Sequence, residues 1–284
     1  MPYSQAIDRN HPALLVFLLD QSQSMRRAWG SDSTRSLSQG TADAINHLLN
    51  DFIIKSTKTE GVRNYFDVAV LGYKGTSIES AISQKTLDQL PISITEMADI
   101  ARIEERTQQV EDGTGGLVEK PVKIKTWIDP ISEGNTPMCE ALSKCYDLVS
   151  QWISVHQSSF PPIVINITDG EATDGDPEPN AERIKELGTS DGNVLLFNIH
   201  ISPSSPKTLM YPRAQDEGTL PDEFAKRLFR MSSSLPEIYV NNLTTDGYLL
   251  EGSSRGFVFN AGLVELINAV DVGTKTALYH VEAG

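Results

Sequence analysis

Leu14 to Leu19 is an unbroken apolar run that stops at Asp20, after which Ser22 and Ser24 stand at alternate positions. Continuous hydrophobicity over strand length predicts a strand buried on both faces, as in a parallel sheet. Thr41 to Ile54 then places Ile45, Leu48, Leu49, Phe52 and Ile53 at helical spacing, with Thr41 as the expected cap. Tyr65 to Tyr73 reads as the second strand. This β-α-β order predicts a right-handed crossover and a parallel pair. Further along, the apolar pattern predicts a helix over Met138 to His156, led by Thr136 and Pro137, and a strand over Pro162 to Thr168. A Glu- and Lys-rich helix over Pro177 to Leu187 and a buried strand over Asn193 to His200 follow. The last elements are a helix over Pro221 to Met231, a short strand over Gly256 to Phe259 and a helix over Leu263 to Val270.

The stretch from about Gly75 to Pro130 fits this alternation least well. Ile78 to Ile82 reads as a short edge strand, Arg102 to Arg106 as a charged stretch, and Glu111 to Gly116 as a Gly-rich loop. Pro121 to Ile128 alternates apolar and polar, as a half-exposed strand does. The segment has too little apolar sequence for its own core, so it reads as an insertion on the sheet edge. The expected organisation is a single α/β domain over 1–284, core about 12–272 with the insertion at about 75–130. Its predicted fold is a doubly wound, mostly parallel central sheet with helices on both faces.

A net charge of −14 argues against bulk binding to nucleic acid or anionic membranes, which attract Lys and Arg. No segment approaches the roughly 20 apolar residues of a membrane span. Met1 to His11 is polar with no basic region, so no signal peptide is read there and a cytoplasmic location is expected. Cys139 and Cys145 lie on one predicted helix about 9 Å apart along its axis, awkward for a disulfide, and read as reduced packing residues.

Three polar loops end three elements of this sheet: Asp20-Gln21-Ser22-Gln23-Ser24, Gly134-Asn135-Thr136-Pro137 and Thr168-Asp169-Gly170. Open α/β sheets bind ligands beyond the carboxyl ends of their strands, where strand order reverses, and these loops could meet there. They offer only oxygen donors, which suit Mg²⁺, Mn²⁺ or Ca²⁺ rather than Zn²⁺. Taken alone, the first loop fits a helix cap and polar turn as well as a metal site. Together the residues resemble the metal-ion-dependent adhesion site of von Willebrand factor A domains. That site has an Asp-x-Ser-x-Ser loop, a Thr on a second loop and an Asp before Gly on a third. The matching residues are Asp20, Ser22, Ser24, Thr136 and Asp169, and the likeness spans roughly Pro12 to Val272.

The resemblance implies a non-catalytic module that binds Mg²⁺, with Mn²⁺ or Ca²⁺ as alternatives, and grips an Asp or Glu of a partner protein through it. The whole chain is similar to stand-alone bacterial A-domain proteins near the tellurite-resistance group. That likeness implies a stress or signalling setting with a Ser/Thr kinase or phosphatase as partner. An accessory subunit recruiting substrate to a MoxR- or chelatase-type AAA+ ATPase is the alternative. Haloacid-dehalogenase phosphatases also open on a strand ending in Asp, but they need a second Asp where this chain has Ser22. No Gly-x-x-x-x-Gly-Lys-Ser/Thr loop or Gly-x-Ser-x-Gly elbow is present, and His11, His47, His156, His200 and His280 are scattered. Arg26, Arg27 and Arg35 could offset the acidic surface near the first loop or simply belong to a solvated loop, and Trp29 is either a contact residue or tucked against the domain. Of the four carboxylates in Glu171 to Glu178, Asp176 and Glu178 are expected to serve the following helix N-terminus.

Overall fold

A computed structural model describes residues 2–29, 32–111, 117–202, 207–245, 247 and 250–279. The Gly-rich stretch 112–116, residues 203–206 and His280 lie outside them. Five strands run parallel: β1 (Ala13–Asp20), β2 (Phe66–Lys74), β7 (Ile163–Thr168), β8 (Leu195–Ile201) and β10 (Phe257–Ala261). Their spatial order is β2-β1-β7-β8-β10. The chain first builds to one side of β1 and then returns to the other, so strand order reverses between β1 and β7. Antiparallel strands finish both edges. β3 (Ser77–Ser80) and β4 (Ile92–Ser93) pair with β2, and β9 (Leu209–Met210) pairs with β10. This is the doubly wound, mostly parallel α/β architecture expected from the apolar pattern.

The all-apolar strands are explained by what covers them. In β1, Leu15, Phe17 and Leu19 face one core with α1 (Leu37–Ser56), α6 (Glu237–Thr245) and α7 (Leu263–Tyr279). Leu14, Val16 and Leu18 face the other core with α3 (Met138–Val155), α4 (Glu178–Glu186) and α5 (Glu223–Met231). Alternate side chains of a strand point to opposite faces, so a strand between two helical layers must be apolar throughout.

Several elements differ from the sequence reading. α1 begins four residues before Thr41, with the Ser36 hydroxyl accepting from the Gln39 amide; Thr41 is buried inside the helix. The capping signal moved because Gly40, a poor helix former, lies in the first turns. Here Gly is required by contact: a Cβ would overlap the Trp29 ring. Trp29 is therefore buried against α1 and is no surface contact residue. Within 75–130, β3 and β4 pair with β2 at the sheet edge, and a short helix, α2 (Ile94–Asp99), follows β4. The charged stretch Arg102 to Arg106, however, belongs to a long strand, β5 (Arg102–Glu111), paired antiparallel with β6 (Leu117–Thr126) in a hairpin apart from the main sheet. Charges alternating on both faces hid its strand character, because the hairpin buries little. Helix α6 was not expected at all. Cys139 and Cys145 are both free thiols, and Cys145 packs in the core. Among the described residues, no helix is long and apolar enough to cross a membrane.

A buried polar chain crosses the sheet beneath its carboxyl edge. Tyr73 Oη on β2 donates to Asn166 Oδ1 on β7 at 2.9 Å. Asn166 Nδ2 donates to Asn198 Oδ1 on β8 at 2.9 Å, and Asn198 Nδ2 to Ser232 Oγ after α5 at 3.1 Å. All four residues are fully buried.

Candidate metal centre

β1 ends at Asp20 and β7 at Thr168, neighbours at the point where strand order reverses. Asp20 is buried, with Oδ1 accepting from the Ser22 amide at 2.8 Å and Oδ2 from the Thr168 hydroxyl at 2.7 Å. The Ser22 and Ser24 hydroxyls lie 2.9 Å apart. Ser24 Oγ donates to Asp169 Oδ1 at 2.6 Å. Four of the five residues selected from sequence are thus linked side by side. The fifth, Thr136, is buried on a loop tied to both of the others. Gln23 N donates to Gly134 O at 2.9 Å, and Glu133 N to Gln21 O at 2.8 Å. Thr136 N donates to the Thr173 hydroxyl at 3.1 Å, and Thr173 N to Thr136 O at 3.0 Å.

The electrostatics follow from this packing. Burial pushes the Asp20 carboxyl up to about 6, with the negative charge of Asp169 adding to the effect and the Ser22 and Thr168 hydrogen bonds opposing it. Among the described residues, Asp169 has a counter-charge that Asp20 lacks: Arg27 Nη2 lies 2.7 Å from Asp169 Oδ2. Two carboxylates in mutual range and a set of hydroxyls make an all-oxygen donor set, which fits Mg²⁺, Mn²⁺ or Ca²⁺. Among the described residues, no three His, Cys, Asp or Glu side chains form a metal-binding group. A cation here would rest on Asp20, Asp169 and the hydroxyls of Ser22, Ser24 and Thr136.

Sequence reasoning missed several supporting residues. Thr168, Thr173 and Arg27 act through contacts across the chain; Arg27 was singled out for its charge but not for its contact with Asp169, and Thr168 could have been suspected because it adjoins Asp169. Asp174 was read as part of an acidic loop, yet its carboxylate accepts from the Cys139 and Glu140 amides and caps α3. Asp176 accepts from Glu178 N at 3.2 Å, as expected of it, and pairs with Arg227, while Glu178 pairs with Arg230.

Gly134 sets the Thr136 loop against the turn after β2. Its φ is +69°, and a Cβ would stand 2.6 Å from Gly75 Cα. Any other residue would be strained and would push on backbone. Gly134→Ala should cost about 2 kcal/mol or more of stability. Denaturant midpoints of variant and wild type measure this, and equal midpoints would show that the loop yields without cost.

His200, near the end of β8, stacks on Phe259 at 4.7 Å and meets the edge of Phe224. Burial pushes its imidazole down to about 4, against the opposing pull of Asp169 and Asp222, with Arg27 adding to the lowering. The native ring stays neutral where the unfolded ring takes a proton, so stability should fall as pH drops from about 6.5 to about 4. His200→Gln should flatten this part of the stability profile by a kcal/mol or two. Unfolding midpoints at pH 7 and pH 5 test it; equal pH dependence in both proteins would remove His200 as the cause.

No family model and no curated protein matches the sequence. Similar solved structures come from pilus proteins. The vWF domain of the type V pili tip protein Mfa5 from Porphyromonas gingivalis aligns over 96% of this chain and 97% of its own, with 10% identity and a TM-score of 0.47. A point mutant of the PilB minor pilin from Streptococcus sanguinis aligns over 95% of this chain and 62% of its own, with 11% identity and a TM-score of 0.47. Against the three N-terminal domains of Mfa5, the aligned part spans 20% of that structure and 57% of this chain, with 15% identity and a TM-score of 0.31. The fold assignment therefore rests on the strand order itself, and the function on the chemistry of the site.

Proposed function

We propose that the protein is a non-catalytic interaction module that holds Mg²⁺ at Asp20, Ser22, Ser24, Thr136 and Asp169 and binds an acidic side chain of a partner protein there. One observation carries the reading. Two buried carboxylates, the Ser22 amide and two serine hydroxyls form a hydrogen-bonded set at the switch point, and among the described residues only Asp169 of the two carboxylates has a cationic partner. A buried carboxylate without a counter-charge is costly, and a divalent cation supplies the missing charge. When bound, such an ion supplies a Lewis-acidic position for a partner's carboxylate oxygen. The protein's own residues fix the donors. Thr168 and the Ser22 amide orient Asp20, Ser24 orients Asp169, and the Thr173 hydroxyl holds the Thr136 backbone. A catalytic reading has little to work with. The Cys139 thiol is pushed up to about 12 by burial and Asp174, too high for a nucleophile at neutral pH.

The test is capture of proteins from a lysate of the source organism, with Mg²⁺ and with EDTA, on wild type and Thr136→Ala. A protein retained by the wild type in Mg²⁺, lost in EDTA and weakened by Thr136→Ala supports the reading. Its Asp and Glu residues can then be replaced one at a time to find the bridging one. The same proteins retained in every condition would overturn it.

A further inference from the structure

We infer that Arg27 is the second recognition element of this site: it sets the net charge that makes the cation-loaded centre a receptor for a carboxylate. This rests on the cation reading above, in which Arg27 enters only as the counter-charge of Asp169. Arg27 follows the short 3-10 turn at Gln23–Arg26, directly after the Asp-x-Ser-x-Ser loop. Its Nη2 donates to Asp169 Oδ2 at 2.7 Å and to the Asp169 carbonyl at 3.3 Å; its Nε donates to Ser24 O at 3.3 Å. The guanidinium is therefore held by two of the site's own residues. The Asp169 side chain is fully buried while half of the Arg27 side chain is exposed, so the cation of this pair is the member that solvent and partners can reach.

Charge counting gives the consequence. Asp20 and Asp169 together neutralise one divalent cation, and a neutral centre has little electrostatic preference for an incoming anion. Arg27 adds one positive charge beside it, so the loaded centre is net positive and gains from accepting a carboxylate. In a chain of net charge −14, that local sign must be built in against the overall field. Arg26 does not duplicate the role, because its Nε is turned to Ser132 O at 2.7 Å. The arrangement also predicts a trade. The guanidinium that attracts a carboxylate repels the dication, so Arg27 weakens cation binding while strengthening anion binding. A residue that merely buttressed Asp169 would move both in the same direction.

The experiment compares wild type, Arg27→Gln and Arg27→Lys at pH 7.5 in low salt. Mg²⁺ binding is measured by calorimetry. A short acetylated, amidated peptide with a single Glu is then titrated in saturating Mg²⁺, following the amide NMR signals of the first loop. Arg27→Gln should bind Mg²⁺ several-fold more tightly and the Glu peptide about ten-fold more weakly, and Arg27→Lys should recover most of the peptide binding. Peptide binding by Arg27→Gln equal to wild type overturns the inference, as does parallel weakening of Mg²⁺ and peptide. Absence of Mg²⁺ binding by the wild type would instead overturn the cation reading, and this inference with it. Thermal melts in EDTA show whether a variant is folded; should Arg27→Gln unfold, Arg27→Ala and Arg27→Lys make the same comparison.

Discussion

Asp20→Asn protein is expected to fold and yet to bind Mg²⁺ at least about 100-fold more weakly than wild type, a loss of roughly 2.7 kcal/mol. Asp20 is the carboxylate whose charge finds no cationic side chain among the described residues, held between the Ser22 amide and the Thr168 hydroxyl. Asn keeps the shape and one acceptor but supplies no charge, so the donor set loses one of its two formal negatives. A dication and a carboxylate in contact attract by several kcal/mol even at an effective dielectric of about 20. Desolvation offsets part of this, which leaves about two orders of magnitude as a conservative figure. The fold should survive, because the substitution removes a buried charge that burial already disfavours. Calorimetric titration of both proteins with Mg²⁺, paired with their melting curves in EDTA, reads the two effects separately. Equal Mg²⁺ affinities would place the cation elsewhere or nowhere.

The second large effect lies below the site. Asn166→Ala should destabilise the protein by about 2–4 kcal/mol, because it strands several buried polar groups at once. Asn166 links the Tyr73 hydroxyl to the Asn198 amide, and Asn198 continues to Ser232. Removing it takes from the Tyr73 hydroxyl its 2.9 Å acceptor, and leaves Asn198 Oδ1 without its donor. Part of the cost is shared: the double variant Asn166→Ala, Asn198→Ala should lose less than the sum of the single losses, since each single change orphans the other residue. Denaturant unfolding of the three variants completes the cycle. Strict additivity would show that the two amides act independently.

These contacts show how much the sequence can say. The strands were legible because burial on both faces leaves an unmistakable apolar run, as in Leu14 to Leu19. The five candidate residues were selected on their likeness to a known motif, and the fold brings four of them into a hydrogen-bonded group with Thr136 on an adjoining loop. Boundaries were less legible. Ser36, not Thr41, caps α1, and Gly40, a poor helix former that disguised the first turn in the sequence, stands there because a Cβ would overlap the Trp29 ring. The hairpin of β5 and β6 was half-missed because it packs little apolar surface, so charges occupy both of its faces. Arg27 and Asp174 were ambiguous for a third reason. A charged side chain in a loop reads as solvated until the fold brings its partner, Asp169 or the N-terminus of α3, within reach. The Asn166–Asn198 pair did leave a signal, an Asn inside each of two apolar strands. Such a polar residue can persist in a core only when a partner satisfies it.

The measurement that bears most directly on the central claim is a crystal structure grown with Mn²⁺, with anomalous scattering used to locate the ion. One strong peak is expected at the carboxyl end of β1, among Asp20, Ser22, Ser24, Thr136 and Asp169. A map with no peak there, or with its strongest peak at another group of side chains, would contradict that claim.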